Sequence, residues 1–445
     1  MTTRPHPDRR RTPVTDHPSK DDVTRTDMNS AETDSAETDS TDMTSTDMTS
    51  ADEPSSGAAQ HPGPAPTAAP DQTERVILQA AGEEGLTGCP CDLIVVADST
   101  GELTSAALDS LAEQPEARVW SWSASRAETS ALAERFASAV GAGRLVLAAG
   151  ADPLPLEEFA AEADAHLVLA RLPKSLAGLE DLARRLARFA GQGGREDLTL
   201  VAGGRVKHMT RSQNEVLAGS FTEVRASRGV GKSRALIASG PRPEALAPEP
   251  IAGAVTVSVH GQPRELALRG SGGVFGGSRA DAGSLLLLEA LDRALVEGEI
   301  SAERAVDLGS GNGLLTAHLA AALPEAEVLG SDDDAEAVAS TRATLEASGL
   351  SREGVRVSWD ESLSQVADSS VDLVVLNPPF HDGTVVDATL VHGLLDSAAR
   401  VLRPGGQLWF VHNSHLRYRA ELEARVGAVQ QRARDRRFTV LSAVR

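Results

Sequence analysis

A chain of 445 residues has room for two or three domains with real cores, and its only two cysteines, Cys89 and Cys91, exclude a disulfide-stapled scaffold. The apolar share of 41% is that of a chain that folds in water, no run of about 18 apolar residues could span a bilayer, and MTTRPHPDRRRTPVTDHPSK lacks the apolar centre of a secretory signal, so a cytoplasmic protein off the membrane is expected. A net charge of -21 (43 Lys+Arg against 64 Asp+Glu) excludes indiscriminate nucleic-acid binding, although a global sum hides local sign.

Residues 1–72 repeat AETDS and TDMTS in tandem and end in HPGPAPTAAP. With 14 acidic and 6 basic residues and few branched or aromatic ones, this segment cannot offset the entropy of ordering, and a disordered tail is expected. From 73 to 240, apolar runs such as DLIVVA, ARVWSWS and GRLVLAAG alternate with helical patterns such as TSAALDSLAEQ and ETSALAERFASAV. That alternation predicts a parallel α/β sheet. Four prolines in PRPEALAPEP make 241–252 a linker. A second alternating series fills 253–445, with strands expected at AVDLG, EVLGSD, VRVSW, VDLVVLN, QLWFVHN and FTVLSAV. The fold class is therefore α/β, with two doubly wound Rossmann-like domains in tandem behind a tail.

Chemistry concentrates in the second series. DLGSGNG ends a strand and opens the helix LLTAHLAAAL, and Gly309, Gly311 and Gly313 let the backbone turn and approach a ligand at the carboxyl edge of the sheet. The dinucleotide pattern needs glycine at 314, where Leu314 stands, so NAD is disfavoured. Asp307 would repel a pyrophosphate but suits the ammonium of S-adenosylmethionine. Nineteen residues after Gly313 comes Asp332, placed to accept from ribose hydroxyls; with Asp333 and Asp334 beside it, one of the three could equally cap the next helix. Asp360 follows the strand VRVSW, where an acid could accept from an adenine amino group.

The most specific signal is Asn377-Pro378-Pro379-Phe380 after the strand VDLVVL. Two prolines stiffen the chain and remove two donors, so carbonyl oxygens there, with that of the Asn377 side chain, can accept from a planar amino group and aim its lone pair at an electrophilic methyl. Phe380 offers a face for a base. Neither a metal nor a covalent nucleophile is needed, and His412 and His415 lack the carboxylate or cysteine partners of a metal site.

DLGSGNG, Asp332, Asp360 and NPPFHDG in this order resemble class I S-adenosylmethionine-dependent methyltransferases that act on an exocyclic amine. GGVFGGSRADAGSLLLLEAL (272–291), NPPFHDG (377–383) and GGQLWFVHNSHLRY (405–418) are similar to the RsmC/RlmG family of bacterial ribosomal RNA guanine-N2 methyltransferases. The resemblance implies methyl transfer from S-adenosylmethionine to the 2-amino group of a guanine in ribosomal RNA or a ribosomal subunit. Asp307, Gly309, Gly311, Gly313, Asp332 and Asp360 would hold the cofactor, with Phe275, Asp281 and Ser284 at its edge, and Asn377, Pro378 and Phe380 would engage the base. Other acceptors with planar amines, adenine N6 or a glutamine amide, share the NPP motif, and a non-catalytic RNA-binding factor is the alternative outside enzymology. A monomer is expected.

The family resemblance also implies a first domain of the same fold without a cofactor. Setting VVADSTGELTSAAL on VDLGSGNGLLTAHL puts Val95 at the place of Asp307, with Ala97 and Ser99 on the first two glycines; only Gly101 survives. LVLARLPKS on LVVLNPPFH puts Arg171 at the Asn377 place and Lys174 at that of Phe380. Losing the acid and glycines predicts no cofactor here, and a role in holding RNA or the other domain. Residues 201–239 carry 7 basic against 2 acidic side chains, and 403–445 carry 9 against 3. In the first stretch Arg205, Lys207, Arg211, Arg228, Lys232 and Arg234 could neutralise phosphates. GVGKS lacks the first glycine of a P-loop, Ala226 standing there, so nucleotide hydrolysis is not expected.

Overall fold

Each alternating series builds one seven-stranded sheet. In the first half these are β1 (Asp92–Val96), β2 (Val119–Trp122), β3 (Leu145–Leu147), β4 (Ala165–Arg171), β5 (Thr199–Arg205), β6 (Phe221–Ala226) and β7 (Ser233–Pro241), ordered β3-β2-β1-β4-β5-β7-β6. After a hairpin, β8 (Ile251–Val259) and β9 (Gln262–Gly270), the second half repeats the plan with β10 (Arg304–Leu308), β11 (Glu327–Asp332), β12 (Val355–Trp359), β13 (Val371–Leu376), β14 (Leu402–Asn413), β15 (Ala428–Arg434) and β16 (Phe438–Val444), ordered β12-β11-β10-β13-β14-β16-β15. In both sheets the first five strands in this order are parallel, and the sixth runs against its neighbours. This computed structural model describes residues 70–85, 90–193, 195–271, 273–274, 276–378 and 388–445, and both halves belong to one compact unit, Gly63–Arg445. The expected tail lies outside the described residues up to residue 69.

Strand alternation assigns each side chain to a face. In the second sheet Ala305, Leu373, Val375, Trp409 and Val411 join a core with the helices Ala282–Val296 and Leu314–Ala322 and the β8–β9 hairpin. Val306, Leu308, Val374, Leu376, Leu408 and Phe410 face the helix Ala388–Val401 on the other side. Both faces are covered, so the central strand reads VDLVVL without polar alternation except at Asp372. Asp307 shares the face of Ala305 and is thereby sent beneath the helix Leu314–Ala322.

The two halves match residue for residue where the sequence comparison placed them. Val95 and Val96 pair with Leu169 and Ala170, and Asp307 and Leu308 pair with Val375 and Leu376. Those are the same offsets that put Val95 on Asp307 and Arg171 on Asn377. Ala97 even keeps the left-handed turn of Gly309, with φ of 57° against 80°, so the first half retains the backbone of the turn after losing two of its three glycines.

Three elements go beyond the sequence reading. The hairpin β8–β9 turns at His260-Gly261, both at positive φ, a turn that favours Asn-Gly or Asp-Gly and is hard to see when histidine takes the first place. Asp292 secures that turn from the helix Ala282–Val296, accepting from Ser258 Oγ and from the His260 and Gly261 amides. Strand β15 was hidden by its mostly exposed residues. Cys91 is buried and disulfide-bonded, a crosslink for which the sequence offered no separate signal.

Candidate active site

The turn after β10 is built for close approach. Gly313 has φ of 81° as the residue before the helix Leu314–Ala322, and a Cβ there would lie 2.8 Å from Thr341 Cα. Asn312 ties this turn to the segment before the helix Ala282–Val296: its Nδ2 donates to the Gly277 and Arg279 carbonyls, both at 3.0 Å. The result is a cleft lined by Gly276, Asp281, Ser284, Gly309, Ser310, Gly311, Asn312, Leu314, Leu315 and Asn377. The carboxyl edge of the sheet thus brings together the glycine turn and the asparagine of NPPF, which are separated by 64 positions or more in sequence.

Asp307 is fully buried and does not line the cleft wall. Its Oδ2 accepts from Thr316 Oγ at 2.6 Å, and its Oδ1 has no partner among the described residues. A buried carboxylate with one oxygen unmatched is costly in ionised form. Burial, then the charge of Asp332, pushes its pKa up to about 7, against the pull of Thr316. A cation brought into the cleft would reverse that preference, which is the property a cofactor ammonium requires.

The Asp triplet resolves into three tasks. Asp332 ends β11 and accepts from the Gly311 amide at 2.8 Å and the Asp334 amide at 2.9 Å, so it braces the glycine turn without lining the cleft. Burial and its acidic neighbours raise its pKa to about 6 despite those two amides. Asp334 is the N-cap of the helix Ala335–Ala347, accepting from Glu336 N. Asp333 faces the first half: its carboxylate accepts from Ala127 N and Ser125 Oγ, each at 2.7 Å, and its carbonyl from Arg126 N at 2.8 Å.

Asn377 is held by two side chains that the sequence reading had placed against the cofactor. Its Nδ2 donates to Ser284 Oγ at 2.8 Å and to Asp281 Oδ2 at 3.2 Å. Asp281 is itself fixed as the N-cap of the helix Ala282–Val296, its Oδ1 accepting from the Gly283 and Ser284 amides. With both amide hydrogens directed to these partners, the side-chain oxygen remains as the acceptor. The capping pattern D-x-x-S before an apolar helix was the available signal, but only the fold shows that it faces residue 377.

Asp360 is not brought to this cleft. One carboxylate oxygen accepts from Ser364 N and Oγ and the other from Gln365 N, so the side chain closes its own turn after β12. Pro378 is buried beside Asn377, while Phe275 and Phe380 lie outside the described residues.

In the first half the matching sheet edge keeps an open cavity of about 580 Å³, lined among others by Val96, Ala97, Ser99, Arg171 and Lys174 and by Asp333, Asp334 and Glu336 of the second half. Val95 is fully buried where Asp307 would stand. Arg171 pairs with Glu74 Oε1 at 2.7 Å and Asp71 Oδ2 at 2.8 Å, and Asp98 accepts from the Gly101 and Thr104 amides. The second half packs around the rim of this cavity. Trp359 Nε1 donates to the Ala124 carbonyl at 2.8 Å, Arg185 bridges Glu157 and Glu336 at 3.1 Å each, and Ala335, Val338 and Trp359 complete the first half's core. The two halves are thus in direct contact through Asp333, Trp359 and Arg185. Arg205, Lys207, Arg211, Arg228, Lys232 and Arg234 are all exposed. Register gathers them: Gly204 pairs with Arg234, Arg205 with Ser233, and Val206 N donates to the Lys232 carbonyl.

Among the described residues no helix is long and apolar enough to cross a membrane, and no group of three or more His, Cys, Asp or Glu is placed to hold a metal.

Comparison with known proteins gives consistent matches. Residues 265–442 match the family described as methyltransferase small domain, and residues 64–242 match the RLMG N-terminal domain. The ribosomal RNA large subunit methyltransferase G of Streptomyces coelicolor is 35% identical over 79% of this chain and 88% of its own length. That of Pseudomonas aeruginosa is 33% identical over 85% of this chain and 94% of its own. Among solved structures, the T. thermophilus 16S rRNA N2 G1207 methyltransferase (RsmC), in complex with AdoMet and guanosine, superposes with a TM-score of 0.60 and 25% identity, covering 80% of this chain and 88% of that one.

Proposed function

Because this chain belongs to the ribosomal RNA large subunit methyltransferase G family, we propose that it transfers a methyl group from S-adenosylmethionine to the exocyclic 2-amino group of a guanine in ribosomal RNA. The observation that carries the reading is the Asn377 amide, oriented by Ser284 and Asp281 in the same cleft as the glycine turn. S-adenosylmethionine supplies an electrophilic methyl on a sulfonium when bound. The unmatched Oδ1 of Asp307 fits its ammonium, Gly309 and Gly311 allow close approach, Gly313 shapes the turn, and Asp332 keeps lone pairs for ribose hydroxyls.

Asn377 acts as acceptor from the guanine amino group. Hydrogen bonding there fixes the plane of the amine, and a fixed plane directs the nitrogen lone pair in line with the methyl group, which is a gain in orientation and not in acidity. Pro378 stiffens the corner, and Phe380 is proposed to stack on the base. Asp281 and Ser284 are positioning residues that select one rotamer of Asn377, a different role from the cofactor contact expected from sequence. Asp360, whose carboxylate also closes a turn, would accept from the adenine amino group through the oxygen that receives only the Gln365 amide.

The first domain (73–240) binds no cofactor in this reading, docks the catalytic domain (253–445) through Asp333, and meets RNA phosphates with its exposed basic cluster. The protein acts as a cytoplasmic monomer on ribosomal RNA or a ribosomal subunit. Mapping 2-methylguanosine in ribosomal RNA from cells with and without the gene tests reaction and address together. One modified guanine is expected to vanish on deletion; identical maps would refute the reading.

A further inference from the structure

The catalytic half carries its own basic region, which none of the roles above uses. Strand β14 outruns its neighbour: Leu376, the last residue of β13, pairs with Phe410, so the same register sets His412 level with Pro378. Beyond it the chain turns back against β16, where Asn413 pairs with Phe438. A cleft opens at this corner, lined among others by His412, Ser414, His415, Arg417, Tyr418 and Arg434. His415, Arg417 and Arg434 are exposed, and the two arginines carry no ion pair among the described residues. The nearby acids are engaged elsewhere: Glu423 pairs with Arg419 at 3.1 Å, and Asp435 accepts from the Arg437 and Phe438 amides.

His412 supplies the second, independent observation. It is only 4% exposed, and its Nδ1 lies 2.9 Å from the Asn413 carbonyl, so the proton sits on Nδ1. Burial, then the charges of Arg434 and His415, hold its pKa below the ordinary histidine value against that hydrogen bond. The neutral ring therefore presents Nε2 as an acceptor, and Nε2 has no partner among the described residues. Packing fixes the ring, which stacks on Phe410 at 5.5 Å and meets Tyr418 edge-on at 5.4 Å. Two free cations call for phosphate, but a phosphate diester has no proton to give an acceptor. A hydroxyl beside a phosphate does, and that combination is found in RNA and is missing from DNA.

We propose that this cleft takes the nucleotide flanking the target base, with Arg417 and Arg434 neutralising its phosphates and His412 Nε2 accepting from its ribose 2′-hydroxyl. The proposal rests on the reading of ribosomal RNA as substrate. The first half repeats the arrangement, since β5 ends at Arg205 opposite Ser233 with Lys207, Lys232 and Arg234 around the same strand ends. The duplicated fold thus offers basic rims at corresponding sheet edges.

The test uses the full chain, S-adenosylmethionine, ribosomal RNA from cells lacking the gene as methyl acceptor, and a short guanine-containing oligoribonucleotide with its deoxy counterpart as binding probes. Arg417→Ala/Arg434→Ala is expected to raise KM for RNA at least about tenfold while kcat and cofactor affinity change less than about twofold. The slope of log affinity against log salt should fall by about 1.4, at roughly 0.7 per phosphate for a single strand. His412→Phe, which keeps the ring stack, is expected to bring the RNA and DNA affinities together. Unchanged KM and salt slope in the double arginine variant would overturn the phosphate site, and undiminished preference for RNA in His412→Phe would overturn the hydroxyl contact. If the unaltered chain transfers no methyl to ribosomal RNA, the functional reading fails; if it does so and the arginine variant is indistinguishable from it, only this inference fails.

Discussion

Cofactor affinity should depend on pH through one buried carboxyl. Asp307 is pushed from an ordinary 3.8 up to about 7 by burial and by Asp332, so near neutrality it is only partly ionised in the free protein. A cationic cofactor selects the ionised form, and apparent affinity scales with the fraction in that form. For a pKa of about 7 that fraction is roughly one tenth at pH 6 and nine tenths at pH 8, so the apparent Kd should be about tenfold weaker at the lower pH. The sign for stability is opposite. A raised folded pKa means the fold holds the proton more tightly than the open chain, so the protonated form's stabilisation is complete below 3.8 and lost as pH rises through about 7. At about 1.36 kcal/mol per pH unit, the ionised carboxylate costs the empty protein up to about 4 kcal/mol above neutrality. Asp307→Asn, which keeps an acceptor for Thr316, should raise thermal stability at about pH 8 while flattening and weakening cofactor binding. Isothermal titration calorimetry from about pH 5.5 to 8.5 reads both affinity and proton release. Equal affinity at pH 6 and 8 in the unaltered protein, with no loss in Asp307→Asn, would refute the reasoning.

Asn377→Ala should reduce turnover at least about tenfold, equal to about 1.4 kcal/mol in the barrier, with cofactor binding nearly intact; unchanged turnover would remove Asn377 from the mechanism. Ser284→Ala loses the shorter of the two bonds that orient Asn377 and should lower kcat by a smaller factor with cofactor Kd unchanged, whereas a pure loss of cofactor affinity would mark Ser284 as a cofactor contact after all. Asp333→Ala deletes two carboxylate hydrogen bonds to the first half, and at roughly 1.5 kcal/mol each, discounted for partial exposure, should cost about 1.5–3 kcal/mol in urea unfolding, with faster amide exchange at 126–127 as the local signature. Gly313→Ala combines a left-handed backbone with a 2.8 Å approach to Thr341 Cα and should cost about 2–4 kcal/mol, while Gly298→Ala, with similar φ and open space, should cost only about 1–2 kcal/mol; equal losses would show that the contact is irrelevant.

The sequence by itself determined what depends on short stretches of chain. Alternating apolar runs set the α/β class because a strand buried on both faces has no choice of composition, and the glycines of DLGSGNG and the prolines of NPPF are legible because few other residues adopt those backbones. Even the pairing of Val95 with Asp307 and of Arg171 with Asn377 could be read, since a duplicated fold preserves offsets along each strand. What only tertiary structure decided is which side chain meets which across the sheet edge. Asp281 and Ser284 are separated from Asn377 by more than ninety positions, and no local pattern says that an N-cap will also hold an amide. Asp332, Asp333 and Asp334 are chemically identical in sequence; the turn after β11 sends one to the glycine loop, one to the neighbouring half and one to its own helix. Asp360 follows its strand as the pattern required, and only the structure shows that its carboxylate also closes the turn after β12. Residue type and spacing constrain backbone conformation locally, whereas hydrogen-bond partners are chosen by three-dimensional proximity, which packing of both halves sets together.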